Sequence, residues 1–356
     1  MRVLVTGADG FIAKNLAIHM SNSPDFDIIR FKRDDPLTRL EGLLEGVEWV
    51  FHLAGVNRSS NKQDFHNGNS LLTHKLCEAI KCQKNKINVV FASSIHAGSN
   101  SDYGLSKLIA ERCLLELQGD IQNRTFIYRL PNVFGKWARP NYNSVVATFC
   151  HNLARDLPID IHDPSALLRL VYIDDLINSF IAVIRDNARF DNFVEVVPEY
   201  KITVGELAQT LQDYNKLAQS LLMDEVGVGL KRALYSTFVS YLPTKRFSYK
   251  VRENIDPRGV FVEMLKTKSS GQFSFFTALP GVTRGGHYHH SKTEKFLVIR
   301  GKARFHFKSL STGDTHEIHV SGESPEVVES VPGWFHNITN IGYCLQQKKE
   351  NKFYCE

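Results

Sequence analysis

The N-terminal stretch Met1–Ala13 constrains this chain more than any other. Arg2–Thr6 reads as a short strand and runs directly into GADGFIA (Gly7–Ala13), after which Asn15–Ser21 carries helix-like apolar spacing. A glycine at the first of these positions permits a tight turn. A second lets backbone approach a pyrophosphate, and a small third residue lets helix and strand pack closely. Gly7, Gly10 and Ala13 meet those needs in order. The free N–H groups and partial positive charge of the helix N-terminus then suit the phosphates of a dinucleotide.

The same strand–helix rhythm continues. Ile28–Phe31, Trp49–Leu53, Asn88–Ala92 and Thr125–Arg129 read as strands, and Ser70–Lys81 and Tyr103–Leu117 as helices. Such alternation predicts an α/β fold, a Rossmann-type doubly wound parallel sheet with helices on both faces. Residues 143–222 are mixed and mostly helical, with a strand at Leu170–Ile173, and would form the substrate side of the same domain. Tyr235–Tyr249 lacks a clear period, contains Pro243 and reads as a connection. From Asn254 onward the pattern changes to short runs punctuated by Gly, Pro, Ser or Asp, among them Gln272–Ala278, Lys295–Ile299, Ala303–Phe307 and Glu317–Val320. That is the signature of an all-β barrel or jelly roll. A chain of 356 residues suits two domains; the expected division is 1–245 and 246–356.

Within the first domain the second strand ends in Arg30, with Lys32 and Arg33 just beyond. An NAD site places an acidic residue there for the ribose 2′-hydroxyl, whereas cations suit a 2′-phosphate, so NADPH is the expected cofactor. HLAG (His52–Gly55) closes the third strand with small residues, which places Leu53 and Ala54 beside the adenosine and ribose. Tyr103 and Lys107 are one helical turn apart and share a face. An ammonium there favours the ionised phenol, and a hydroxyl from Ser93 or Ser94 would complete a carbonyl-binding site; register favours Ser94.

The second domain carries a different constellation. His287 and His289 stand at alternate positions, Glu294 follows shortly, and His336 lies in PGWFHNITN (Pro332–Asn340). Three imidazoles and a carboxylate suit a borderline divalent ion, zinc first among them. His290 falls on the opposite strand face and is not assigned.

The net charge of +5 comes from dispersed Lys and Arg without a basic block, so a nucleic-acid partner is not expected. No apolar run reaches about eighteen residues, and no secretory leader precedes the first strand, which points to the cytoplasm without a membrane partner. The six cysteines lack Cys-x-x-Cys spacing and read as thiols of a reducing compartment.

GADGFIA, the Ser94 and YGLSK set (Tyr103–Lys107), and YRLPNVFG (Tyr128–Gly135) together resemble the extended short-chain dehydrogenase/reductase family acting on nucleotide sugars. The resemblance implies that Tyr103 donates the proton to a carbonyl oxygen and that Lys107 orients the cofactor ribose. It also implies that Ser94 binds the carbonyl and that Asn132 faces the nucleotide diphosphate. YIDD (Tyr172–Asp175) matches the family's late strand and turn, in a structural role. Family dehydratases carry an Asp-Glu pair after the catalytic Ser or Thr; Ile95 and His96 stand here, so dehydration is disfavoured. The spacing of His287, His289 and Glu294 resembles the cupin signature, although Pro332 abuts Gly333 where the general pattern has a residue between them.

As a whole, Met1 to Gly342 resembles the bifunctional CapF-like (WbjC-like) enzymes of capsule and O-antigen synthesis. That likeness implies C3 epimerisation of a UDP-linked 2-acetamido-2,6-dideoxy-4-hexulose in the cupin. NADPH reduction of the C4 ketone to the L-talose derivative would follow, in a homodimer on the route to UDP-N-acetyl-L-fucosamine. After Gly342 the family continues into an apolar strand, whereas this chain reads YCLQQKKENKFYCE, so loss of the last barrel strand is expected. Three other readings stay open: a reductase whose cupin serves only dimerisation or sugar binding, a non-catalytic nucleotide-binding protein, and an NAD-retaining C4 epimerase.

Overall fold

The computed structural model describes residues 1–121, 123–189, 191–268 and 271–342, with the side chains of residues 120 and 121 left aside. The chain forms two units. One comprises Met1–Leu217 with Glu225–Ser248; the other comprises Ala218–Asp224 with the chain from Tyr249 onward.

In the first unit, β1 (Arg2–Thr6), β2 (Asp27–Phe31), β3 (Trp49–His52), β4 (Asn88–Ser94) and β5 (Thr125–Leu130) form one parallel sheet in the order β2-β1-β3-β4-β5. Central strands of such a sheet are covered on both faces and therefore read as continuous apolar runs; all four residues of β3 are buried. On one face Leu16, Met20, Ile177 and Phe180, from helices Phe11–Ser21 and Ile173–Arg185, join the core. On the other, Leu76, Ile80, Ala110 and Leu114 come from helices Leu72–Lys81 and Asp102–Ile121. The chain leaves β1 toward β2 on one side and returns to β3 on the other. This reversal opens a crevice at the carboxyl ends of β1 and β3, where ligands of open α/β sheets bind.

A smaller sheet, β6 (Asn132–Phe134), β7 (Leu167–Tyr172) and β8 (Tyr200–Thr203), carries helices Val145–Leu153 and Val204–Asn215 beside it. The helix Gly229–Ser240 also belongs here and buries Ala233, Leu234 and Phe238. The expectation that Tyr235–Tyr249 is a plain connection is therefore corrected over Tyr235–Ser240. Its aromatic residues conceal a helical face whose burial depends on partners distant in sequence.

The second unit is all-β. Its strands are β9 (Leu222–Met223), β10 (Glu253–Asp256), β11 (Gly259–Thr267), β12 (Gln272–Phe276), β13 (Thr283–His287), β14 (Glu294–Leu297), β15 (Lys302–Ser309), β16 (Thr315–Ser321), β17 (Val327–Ser330) and β18 (Trp334–Asn340). One sheet runs β10-β11-β12, with β9 pairing β11 in parallel through Lys266↔Leu222 and Thr267↔Met223. A second runs β13-β18-β15-β16, and β14 pairs β17. β15 alternates strictly, turning Ala303, Phe305 and Phe307 into the core with Val320 and Val328. The expected loss of a final strand concerns residues beyond Gly342, as do Cys344 and Cys355; these lie outside the described residues.

Candidate functional site

The glycine loop stands at the sheet's switch point. Gly7 has φ +63°, and a Cβ there would sit 2.7 Å from Ala54 Cα, so only glycine lets the loops after β1 and β3 pass this closely. Gly10 caps the helix Phe11–Ser21 with no side-chain hydrogen bond, which leaves the first helical N–H groups free to meet an anion. Ala13 is buried. These features fit a dinucleotide pyrophosphate. Arg30 is exposed near the end of β2, and Lys32 and Arg33 are exposed beyond it. Lys32 lies 3.7 Å from Asp9 of the loop, while Arg30 and Arg33 have no ion pair among the described residues.

Tyr103 and Lys107 sit in the first turns of the helix Asp102–Ile121. Lys107 is buried, and its Nζ donates to the Ala92 carbonyl at 2.9 Å and lies 4.8 Å from the Phe91 ring centroid. Burial pulls the lysine down to about 8, opposed by Glu111 one turn along. Burial raises the Tyr103 phenol, and the Ser94 hydroxyl is close enough to oppose that rise. The two serines are told apart here. Ser93 Oγ donates to buried Glu111 at 2.5 Å, and Glu111 also receives Arg129. Ser94 Oγ accepts from the His96 backbone N–H at 3.2 Å, and its hydroxyl lies within hydrogen-bond reach of the Tyr103 phenol. Asn132 is exposed on β6 and donates weakly to the Arg169 carbonyl at 3.4 Å. In YIDD, Tyr172 ends β7 and the next three residues begin a helix, where Asp174 binds Lys136 and lies 3.5 Å from His19.

Sequence reasoning missed the polar network beneath this site. Asn69 Oδ1 accepts from the Val56 N–H at 2.8 Å, and Nδ2 donates to the Val56 carbonyl and to Ser106 Oγ. It thereby ties the loop after β3 to the helix bearing Tyr103 and Lys107. Deeper still, His52 links Thr6 at 2.7 Å with Thr73 at 2.8 Å, and Thr6 Oγ1 accepts from the Ala54 N–H. Burial, reinforced by Lys107, lowers His52 to about 3, so it is neutral. Because Thr73 donates to the Asn69 carbonyl, His52 donates from Nε2 and accepts at Nδ1. The available signal was that Asn69 and Thr73, four residues apart, share one face of the helical stretch with the apolar residues Leu76, Cys77 and Ile80.

In the second unit His287, His289, Glu294 and His336 converge, with their ligand atoms all within 4.8 Å of one another. His336 pairs with His287 across β18 and β13, and Glu294 opens β14. His289 lies beyond the end of β13, not within it, yet its Nε2 still comes to 3.2 Å from Glu294. Glu294 also reaches 3.3 Å from His336. Desolvation, together with His287, lowers His336, and neither of its buried ring nitrogens has a hydrogen-bond partner. Two orphaned nitrogens beside a carboxylate are costly without a ligand, and a divalent cation satisfies such a donor set. His290 turns instead toward Tyr288.

A parallel sheet with a glycine loop at its switch point and a Tyr/Lys pair beside it is the arrangement of a nicotinamide-dependent enzyme class. The chain belongs to the NAD dependent epimerase/dehydratase family, which it matches over residues 3–196. Residues 254–347 match the polysaccharide biosynthesis C-terminal domain. It is a CapF-like chain along nearly its whole length. It is 53% identical, over 96% of this chain and 92% of the relative, to UDP-2-acetamido-2,6-beta-L-arabino-hexul-4-ose reductase from Pseudomonas aeruginosa. It also superimposes on the crystal structure of the capsular polysaccharide assembling protein CapF from Staphylococcus aureus, with TM-score 0.88, 37% identity and coverage of 96% of this chain and 93% of that one. The UDP-glucuronic acid 4-epimerase from Bacillus cereus, solved with NAD, shares the fold at TM-score 0.58 and 17% identity, covering 68% of this chain and 96% of that one.

Proposed function

We propose that this chain epimerises C3 of a UDP-linked 2-acetamido-2,6-dideoxy-4-hexulose in its C-terminal unit and reduces the C4 ketone in its N-terminal unit. The product is UDP-2-acetamido-2,6-dideoxy-L-talose. The observation that carries the reading is that one chain holds both a Tyr103–Lys107 pair with Ser94 beside the phenol and a three-histidine, one-glutamate cluster.

In the N-terminal unit, bound NADPH supplies the hydride. Gly7 and Gly10 admit its pyrophosphate, Leu53 and Ala54 flank the adenosine and ribose, and Arg30, Lys32 and Arg33 surround the 2′-phosphate. Ser94 donates its hydroxyl proton in a hydrogen bond to the C4 carbonyl oxygen. Tyr103 transfers its phenolic proton to that oxygen as negative charge builds there. Lys107 holds positive charge beneath the phenol and lowers the cost of the phenolate. Asn132 faces the substrate's diphosphate.

In the C-terminal unit, His287, His289, Glu294 and His336 would hold a divalent ion, zinc by donor set, which supplies Lewis acidity toward an oxygen where charge develops. The C3 proton is acidic because the ketone is adjacent. Reduction then removes that ketone and draws a near-balanced epimerisation forward. The reading also makes the enzyme a cytoplasmic homodimer without nucleic-acid or membrane partners. Among the described residues no helix is long and apolar enough to cross a membrane.

The test has two arms. Without NADPH, the protein should incorporate solvent deuterium at C3 of the ketosugar; with NADPH, absorbance of the reduced nicotinamide should fall. Absence of deuterium incorporation would sink the epimerase assignment and leave a reductase alone.

A further inference from the structure

Beside β13 the C-terminal unit has a cavity of about 600 Å³ lined by Arg252, Asn254, Asp256, Arg258, Phe261 and Arg284, among others. Arg284 is its least exposed cation, with a side chain only 11% exposed. Its Nε donates to the Thr277 carbonyl at 3.0 Å, and the guanidinium lies 5.5 Å from the Phe276 ring centroid. Its Nη2 is buried without a hydrogen-bond partner, 3.6 Å from Asp256 Oδ1. Asp256 is already engaged by Arg258, through the backbone N–H at 2.8 Å and through Nη2 at 2.6 Å. One carboxylate is thus shared by two guanidinium groups. Arg252 has no side-chain partner among the described residues. Counting Glu253 as well, the lining carries three cations and two anions, so it retains positive charge.

We propose that this cavity holds the diphosphate of the nucleotide-sugar substrate while the C-terminal unit acts on C3, with Arg284 as the principal contact and Arg252 at the rim. The inference rests on the epimerase reading above and specifies how that site recognises its substrate. A largely buried guanidinium with an unmade hydrogen bond gains from an anion, because most of its desolvation has already occurred and its remaining N–H groups can donate to phosphate oxygens.

Register supplies the second argument. Arg284 pairs with Ile338, and His287 pairs with His336. Ile338 and His336 are two positions apart on β18, and the bulge between Gly285 and His287 on β13 absorbs the extra residue, so Arg284 and His287 lie opposite same-face positions of β18, about 7 Å apart along that strand. In a nucleotide hexose the diphosphate hangs on C1, two carbons from C3. A cation at this spacing can hold the diphosphate while C3 and the C4 carbonyl reach the histidine cluster. The paired glycines Gly285 and Gly286 lie between, both at positive φ. A Cβ on Gly285 would meet the His336 carbonyl oxygen at 3.2 Å, so the strand passes close to β18 there without side chains of its own.

The experiment measures deuterium exchange at C3 of the UDP-4-ketosugar without NADPH, in the full chain, for the wild type and for Arg284→Gln. Metal content by elemental analysis serves as the check that the unit is folded. Losing a charge-assisted contact should raise KM for exchange about tenfold to a hundredfold and leave kcat within about threefold. The inhibition constant of UDP against exchange should rise by a similar factor. NADPH reduction of ketosugar already epimerised at C3 should be unaltered. A variant with full metal and unchanged KM, or one that loses only kcat, overturns the proposal. If Arg284→Gln fails to retain metal, Arg252→Gln at the exposed rim carries the test, with KM expected to rise about threefold to tenfold; an unchanged KM there is equally decisive against it. A wild type that shows no exchange removes the epimerase reading itself, an outcome distinct from exchange that is indifferent to Arg284.

Discussion

Lys107 donates a 2.9 Å hydrogen bond to the carbonyl of Ala92, two residues before Ser94 on the same strand. The helix Asp102–Ile121 and the strand end are thereby locked together from beneath, and the phenol of Tyr103 is positioned relative to the Ser94 hydroxyl by main-chain geometry. On the proposed function, this preorganisation would let the phenol donate its proton without reorganising at the moment of reaction.

Tyr103→Phe removes the proton donor while preserving the ring's packing, including its 6.0 Å approach to Phe65. NADPH oxidation with the ketosugar should fall by at least about a thousandfold, while deuterium exchange at C3 persists. Loss of exchange in the same variant would show that the two activities are not divided between the units.

Lys107 titrates near 8 in the folded protein against an ordinary 10.5. Between those values the unfolded chain binds the proton and the folded chain does not, so stability should rise with pH across that window. The full swing is roughly 3 kcal/mol. Urea unfolding of wild type and Lys107→Met, followed from pH 7 to 10, should show the wild type gaining on the variant above about pH 8. A constant difference would refute the depressed lysine.

A methyl group on Gly7 would need space occupied by Ala54 and a φ that alanine disfavours. Gly7→Ala should cost about 1–3 kcal/mol of stability and abolish NADPH binding measured by fluorescence. Metal content, held by the other unit, should not change.

Replacing Arg30 and Arg33 together by Ser withdraws two cations near the end of β2 that have no ion pair among the described residues. KM for NADPH should rise about tenfold or more while KM for NADH changes little, since only the 2′-phosphate loses its contacts. Equal effects on both coenzymes would remove these residues from the phosphate site.

His336→Ala deletes the most buried member of the cluster, so bound metal should fall from near one equivalent toward none and C3 exchange should vanish. Reduction of ketosugar already epimerised at C3 should survive. Chelation of the wild type should reproduce this pattern, and full exchange after complete metal removal would exclude the cluster from the epimerisation.

Much of the architecture was legible in the residues because it follows short-range rules. A glycine at a turn of positive φ, a Tyr and a Lys one helical turn apart, and the strict alternation of Ala303, Phe305 and Phe307 are each set by backbone sterics and periodicity within a few residues. Register favoured Ser94 over Ser93 only slightly, and the engagement of Ser93 by Glu111, itself bound by Arg129, was not legible at all. Other features depend on partners far along the chain. Segment Ala218–Asp224 joins the C-terminal unit through pairing of β9 with β11, and no local pattern announces it. The helical face of Tyr235–Ser240 becomes visible only when Tyr214 and its neighbours pack on it. His52 is neutral, and the nitrogens of His336 are orphaned, because burial strips them of water. Local sterics are written in neighbouring residues, whereas desolvation and convergence are properties of the closed fold.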